Sequence, residues 1–353
     1  MLNGIDLRAR RALAEQIRED SWEAQLSMGV AAHPAVADRC RVRTEPMRLG
    51  STRVARTFDI DQRCGSGADG CLDPVGSLLV ALGASVAESV VTELTGDGCS
   101  PALLEVLPCV EFARGEGAAR LAYEIRIEGD VLVEQARRAL AAARERCSAH
   151  RTLDEPNDIK AVVQTAQDVH LTSRPVLPGT EPFVPERRRA ARVMWEVGTH
   201  VLAEVDGVHA ESDQPKQLFG ADLAPSAQEY FLAALAAEAL SFADPTTAPD
   251  TPPASVHASG RIDLRGPYST EVAPAGLRNV LVQLLPADPA VDGDTAARAM
   301  RRWLAEGHAL RLVRDAHPIE VRLVLNGEPV PAQHTENDGT SAVNDTKEQH
   351  RAP

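Results

Sequence analysis

Asp73-Pro74-Val75-Gly76-Ser77-Leu78-Leu79-Val80-Ala81-Leu82-Gly83-Ala84-Ser85 and Ser226-Ala227-Gln228-Glu229-Tyr230-Phe231-Leu232-Ala233-Ala234-Leu235-Ala236-Ala237-Glu238 are two writings of one helix. Superposed, Leu79 meets Leu232, Ala81 meets Ala234, Leu82 meets Leu235, Ala84 meets Ala237, and Ser85 falls on Glu238. An internal repeat on this scale predicts two structural units of one kind. Each copy opens on a helix start. Asp73 is an N-cap followed by Pro74 at the first helical position. Ser226 and Glu229 stand at capping-box spacing.

The surrounding pattern repeats as well. In the first unit an amphipathic helix is expected over 6–19, with Leu13 and Ile17 on one face. Alternating segments follow at 40–43 and 54–60. A glycine-rich loop spans 64–70, and the central helix runs to about Thr92, before the Gly96-Asp97-Gly98 turn. Strands are expected at 106–112, 120–127 and 159–164, with an Ala/Arg-rich helix at 131–146. In the second unit strands are expected at 191–197 and 200–205, then the central helix at 225–243 and a proline-rich loop at 244–254. Strands at 255–264 and 279–285, a helix at 295–306 and a strand at 319–325 complete it. The domain reading is a first unit at 1–168, a linker at 169–189, a second unit at 190–330 and a disordered tail at 331–353. The fold class is α+β.

Composition narrows the function. The chain has 353 residues, a net charge of −14 and only 3% aromatics, so Ala, Leu and Val carry the core. The negative charge argues against a nucleic-acid surface and against an anionic membrane as partner. Arg187-Arg188-Arg189 reads as a solvated face. No secretory signal is visible, and no uninterrupted apolar run reaches the roughly 20 residues that span a bilayer, so a cytoplasmic location is expected. All six cysteines, Cys40, Cys64, Cys71, Cys99, Cys109 and Cys147, lie in the first half, and no Cys-x-x-Cys pair exists. This favours reduced thiols over a disulfide framework or a structural zinc. Cys64 and Cys71 flank the glycine-rich loop and are also readable as a redox pair. His200 and His209 have no spacing that makes a metal site. No cofactor or metal is expected.

The repeated helix resembles that of the OsmC/Ohr family of thiol peroxidases, whose central helix ends on the peroxidatic cysteine. Asn3-Gly4-Ile5-Asp6 with Ala12–Ile17 is similar to the family's N-terminal helix. Arg56-Thr57-Phe58-Asp59-Ile60-Asp61 is similar to the strand before the central helix, and Gly260-Arg261-Ile262-Asp263-Leu264-Arg265-Gly266 to a stretch of the longer members. The resemblance implies two OsmC-like units in one chain, forming an intramolecular pseudo-dimer with sheets wrapped around paired central helices. It also implies a monomer that acts as a dimer.

In that family a thiolate attacks the peroxide O–O bond, a second cysteine resolves the sulfenic acid, and an Arg and a Glu activate the thiolate. The resemblance places Ser85 and Glu238 in the two peroxidatic slots, neither of which can run sulfur chemistry. Cys147 falls at the resolving slot of the first unit and His308 near that of the second. Glu229 matches the helix-start Glu, for which Val75 and Gly76 stand in the first unit. Arg41, Arg43, Arg48 and Arg53 are the candidates for the activating Arg. Cys71 and Glu229 are candidate ligand contacts.

The expected function is a relative of hydroperoxide-stress proteins that has lost thiol peroxidase activity and keeps a pocket for a small apolar or peroxide-like ligand. Two other readings remain open: altered chemistry with Glu238 and His308 as acid and base, favoured by an open pocket at Glu238, and a partner-binding protein, favoured by a closed helix interface. Glu238, inside an apolar helix, is expected to have a raised pKa, and Glu238→Gln to stabilise the protein if the carboxyl is buried and unpaired.

Overall fold

The computed structural model describes residues 1–35, 39–63, 70–112, 119–166, 168–172, 187–243, 254–268, 273–287 and 293–331. Cys64, the central part of the expected linker, the proline-rich loop and the tail lie outside them. Asp6 caps helix α1 (Leu7–Glu19) by accepting the Ala9 N–H. Strands β1 (Gln25–Pro34), β2 (Arg39–Thr44), β3 (Met47–Leu49), β4 (Thr52–Val54) and β5 (Asp59–Arg63) precede α2 (Pro74–Gly96). Strands β6 (Leu103–Phe112) and β7 (Ala119–Glu128) follow, then α3 (Val133–Arg146), α4 (Ser148–Asp154) and β8 (Ile159–Gln164). Short strands β9 (Val169–Thr172) and β10 (Arg187–Ala190) occupy the ends of the expected linker. The second half carries β11 (Arg192–Val197), β12 (His200–Val205), β13 (Val208–Ser212), α5 (Ala227–Ala243), β14 (Ala254–Asp263), β15 (Arg278–Pro286), α6 (Gly293–Glu306), α7 (His308–Arg314), β16 (Ile319–Leu325) and β17 (Glu328–Pro329).

The fold is mixed α and β, with two sheets rich in antiparallel pairs. One runs β4-β3-β1-β14-β15-β8-β9, with β2 and β5 hanging from β1; the other runs β13-β12-β11-β6-β7-β16-β17, with β10 on β6. Each sheet takes strands from both halves of the sequence. β1 pairs antiparallel with β14, Leu26 opposite Ile262, and β11 pairs antiparallel with β6, Val193 opposite Val106. The exchange is reciprocal. The α3–α4 segment carries the chain from β7 in the second sheet to β8 in the first, where β8 lies parallel to β15. The α6–α7 segment carries it back from β15 to β16, parallel to β7. The two repeats are therefore interlocked through their sheets.

Helices α2 and α5 pack on each other, α2 also against β6 and β11, α5 also against β1 and β14. Both are buried almost all round: Ser77 to Ala87 in α2, and Ala227 to Leu240 in α5. An apolar stripe confined to one face is absent because each helix has a neighbour on every side. By length and composition α2 could cross a bilayer, but 78% of its apolar window is buried within the protein. The helix starts as its sequence dictates, with Asp73 Oδ1 accepting the Gly76 N–H at 2.6 Å. It continues a turn beyond Thr92, through Gly96, and stops where Asp97 caps it and Gly98 turns left-handed at φ +76. One glycine breaker was not enough against a helix end that buries Leu94 and Thr95.

Some elements differ from the sequence reading. Residues 55–58 are not strand, because Arg56 turns inward there. The short helices α4 and α7 follow α3 and α6 after single-residue breaks at Cys147 and Gly307. Arg189 is not part of a solvated face: it pairs with Asp73 at 2.8 Å and Asp206 at 2.7 Å.

The closeness of α2 to the second sheet is testable at Gly83. A Cβ there would lie 2.4 Å from Val193 Cγ2. Alanine gains about 1 kcal/mol of helix propensity, but overpacking costs about 1–3 kcal/mol. Gly83→Ala should therefore lower the denaturation midpoint in urea, whereas Gly96→Ala, which meets open space, should not.

Candidate functional site

The two slots that end the repeated helix are built alike and filled differently. Helices α3 and α6 are both 14 residues long and 160 positions apart (133 to 293, 146 to 306), and α4 and α7, seven residues each, keep that offset. Cys147 is thus the counterpart of Gly307, and Ser148 that of His308. At the first slot the Cys147 thiol donates to Ser85 Oγ at 3.2 Å, and the Ala149 N–H reaches the same oxygen at 3.5 Å. At the second slot the Ala309 N–H donates to Glu238 Oε1 at 2.7 Å. Ala149 and Ala309 are repeat equivalents, so the same backbone donor addresses Ser85 in one copy and Glu238 in the other.

Glu238 is buried but not unpaired. Its carboxylate also accepts the Leu310 N–H at 2.9 Å and Trp303 Nε1–H at 3.0 Å. Burial raises its pKa, and these N–H donors oppose the rise. The condition under which Glu238→Gln would stabilise the protein is therefore not met: the donors around it leave no acceptor for an amide NH2. The carboxylate also fills the space of a second side chain, because a Cβ on Gly307 would lie 2.7 Å from Glu238 Oε2. Trp303, wholly buried, stands where Ala143 stands in the first repeat. Glutamate and tryptophan close this slot. His308 is not Glu238's acid–base partner: its ring packs 5.6 Å from Phe112, and burial and Arg311 lower its pKa.

The first slot borders open space. Ser85 and Ser148 lie in the floor of a cleft of about 300 Å³ between α1, α2, α3 and the second repeat, with Gln214 and Gln228 beside them. Gln228 Nε2 donates to Ser148 Oγ, which lies 3.4 Å from Ser85 Oγ. Gln214 Nε2 donates to Glu88 at 2.8 Å. Burial raises the Glu88 pKa against the lowering effect of Arg10. Cys147 lies behind this floor, 1% exposed, and caps α4 by accepting the His150 N–H at 3.4 Å. Burial pushes its thiol pKa up, which removes the thiolate that reactive cysteines need. His150 in turn lies 3.0 Å from the Tyr123 hydroxyl, and burial lowers its pKa to about 4.

The remaining sequence candidates lie elsewhere. Glu229 is fully buried and is held by Arg56 Nη2 at 2.5 Å and by the Ser226 N–H and hydroxyl at 2.6 and 3.0 Å. The reach back to Ser226 N–H is one half of the expected capping box. Burial raises the Glu229 pKa, and Arg56 opposes it. The cation that pairs with Glu229 is thus Arg56, which also donates to Ala224 O at 3.0 Å. Arg41, Arg43, Arg48 and Arg53 alternate outward on their strands. The hint in the sequence is the alternation of 54–60, which sets Arg56 in phase with Val54, Phe58 and Ile60 on the inward side. Cys71 borders a second cleft with His209 and Tyr230. It precedes Ser85 by fourteen residues, and the helical stretch from Pro74 to Ser85 alone rises about 17 Å at 1.5 Å per residue. His200 meets Glu211 at 3.2 Å. Among the described residues no group of three or more His, Cys, Asp and Glu is placed to hold a metal. No family model matches the chain, and no curated protein matches it.

Two measurements test this geometry. Glu238→Gln should destabilise the fold by about 1–3 kcal/mol at pH 7, the cost of setting an amide against buried donors; an unchanged chemical-denaturation midpoint would contradict the network. His150 binds a proton near pH 6.5 when unfolded and only near pH 4 when folded. The unfolded state therefore holds more protons across that window, and stability is lost as pH falls through it, by about 3 kcal/mol at most. His150→Phe should flatten the stability profile between pH 4 and 6.5.

Proposed function

We propose that this chain is a two-repeat relative of the OsmC/Ohr proteins, an intramolecular pseudo-dimer that has given up thiol peroxidase chemistry and holds one small ligand in the cleft beside Ser85. The observation that carries the reading is the pairing of Ser85 with Cys147. The central helix of that family presents a peroxidatic sulfur to a second cysteine, and here the second sulfur faces a hydroxyl at 3.2 Å. The reciprocal exchange of strands and the packing of α2 on α5 also support a dimer condensed into one chain. So does the buried Arg56–Glu229 pair, which ties the first repeat to the helix start of the second. A cytoplasmic setting fits the free thiols of Cys40, Cys71, Cys99, Cys109 and Cys147.

The geometry favours ligand binding over the two other readings. Glu238 spends its lone pairs on α7 and Trp303 in a closed slot, so acid–base chemistry there has no room for a substrate. The open cleft at the other slot distinguishes the molecule from a fully packed interaction protein.

The test is a consumption assay with cumene hydroperoxide and a dithiol reductant. The unmodified protein should show no turnover above buffer. Ser85→Cys should gain it: the new thiolate would take one peroxide oxygen, releasing the alcohol, and Cys147 would condense with the sulfenic acid, releasing water. Cys147→Ser in that background should then abolish turnover. Robust activity of the unmodified protein would overturn the loss of chemistry.

A further inference from the structure

The cleft beside Ser85 has a distribution of charge unlike the rest of the molecule. Four arginines line it, Arg10, Arg11, Arg18 and Arg146, against two glutamates, Glu88 and Glu93. The chain as a whole carries −14. The glutamates are already matched: Arg10 lies 3.8 Å from Glu88 and Arg146 lies 3.0 Å from Glu93. Arg10 is further held over the Tyr268 ring at 4.9 Å. Arg11 and Arg18 remain. Among the described residues neither has a carboxylate or hydrogen-bond partner, and both are exposed at the mouth.

Their placement follows from helix geometry. Leu7, Arg11, Ala14 and Arg18 recur at intervals of four, three and four, which puts them on one face of α1, and that face borders the cleft. Asp6 fixes the start of the helix, and buried Ile17 anchors its neighbouring face. Behind the arginines the walls are apolar: Leu26, Leu218, Ile262 and Leu264, each under a tenth exposed. The polar groups beside Ser85 are paired, Gln228 with Ser148 and Gln214 with Glu88, while the Thr92 hydroxyl in the lining has no partner among the described residues. An alkyl chain reaching the floor therefore breaks no hydrogen bond. An anionic head group on the floor would meet Glu88, so the anion belongs at the mouth.

We infer that the cleft beside Ser85 binds a small amphipathic carboxylate, its head group between Arg11 and Arg18 and its alkyl chain against Leu26, Leu218, Ile262 and Leu264. The inference rests on the ligand-binding reading above and adds the sign and place of the ligand's charge. A volume of about 300 Å³ lies at the small end of ligand pockets, which suits a medium-chain acid. Guanidinium groups suit a carboxylate because their paired N–H donors match its two oxygens.

The test is isothermal titration calorimetry of the full chain with octanoate, octanol and octylammonium. Octanoate should bind about tenfold more tightly than octanol, and octylammonium more weakly than either. Arg11→Gln and Arg18→Gln should each weaken octanoate by roughly two- to fivefold and leave octanol unchanged, the range for solvent-exposed ion pairs. Octanoate affinity should fall as salt rises. Reversing both charges, Arg11→Glu with Arg18→Glu, should move the preference to octylammonium. Ala142→Phe, which fills the cleft wall, should abolish octanoate binding. Equal binding of octanoate and octanol, insensitive to the arginine variants, would overturn the anionic head group and leave the cleft as a ligand site. Binding of none of the three would overturn both readings, and octanoate binding unaffected by Ala142→Phe would place the ligand elsewhere and overturn the inference. The arginine substitutions lie on an exposed helix face, so they test the proposal even if Ala142→Phe fails to fold.

Discussion

The contact between α2 and α5 is the constraint from which the rest of the molecule follows. Each helix is apolar around nearly its whole circumference, so covering it on one side leaves Leu and Val side chains in water at roughly 1.5–3 kcal/mol apiece. One sheet covers one side of a helix. The remaining side of α2 is covered by α5, and that of α5 by α2, with a sheet outside each. The interlocked sheets are the consequence. Once the helices are paired, the α3–α4 and α6–α7 segments can each cross between the sheets, so that β8 and β16 each join the sheet the chain crosses to and pair there parallel with β15 and β7.

Such an arrangement also places polar groups at the start of α5 against elements of the first repeat. Arg56 precedes β5 in the first repeat and meets Glu229 at the start of α5. Gln228, on the same helical turn, reaches Ser148 on α4. Polar groups brought together at an otherwise dry interface must satisfy one another; Arg56 and Glu229 do so through Arg56 Nη2, while Arg56 Nε has no hydrogen-bond partner among the described residues. The first slot differs in bordering a cleft. There the hydroxyls and amides at the floor pair among themselves and the cationic side chains stand at the mouth.

Much of this was legible in the repeated helix. The Leu and Ala positions at matched spacing, the Asp73-Pro74 start and the Ser226/Glu229 pair located both central helices, and the alternating segments located β6, β7, β8, β12 and β16 closely. What was not legible depends on contacts distant in sequence. Local alternation sets Arg56 inward and Arg53 outward, but an arginine facing a core is tolerable only because Glu229, 173 positions later, lies there. Helices α4 and α7 follow α3 and α6 so directly that a seven-residue helix after a one-residue break reads as more of the same helix. Glu238 stood out as a carboxylate in an apolar run, but its donors come from Trp303 and the start of α7. Sequence alone gave the burial without the partners, and the partners decide whether removal of the charge helps or harms.

The two slots also differ in how many residues hold each in place. Ser85 differs from cysteine by one atom, and it keeps Cys147 at hydrogen-bonding distance. Glu238 belongs to a set: the carboxylate occupies the space of a side chain at 307, accepts the Trp303 indole N–H and holds the first N–H groups of α7. Changing Glu238 alone strands those donors, and placing a side chain at Gly307 alone collides with the carboxylate. The second slot is therefore fixed by several mutually dependent residues and serves stability, whereas the first borders a cleft lined by Ser85, Ala142 and Ser148. A molecule with two equivalent sites can commit one of them to holding the helices together. The asymmetry of Ser85 and Glu238 is the form that division takes in this chain.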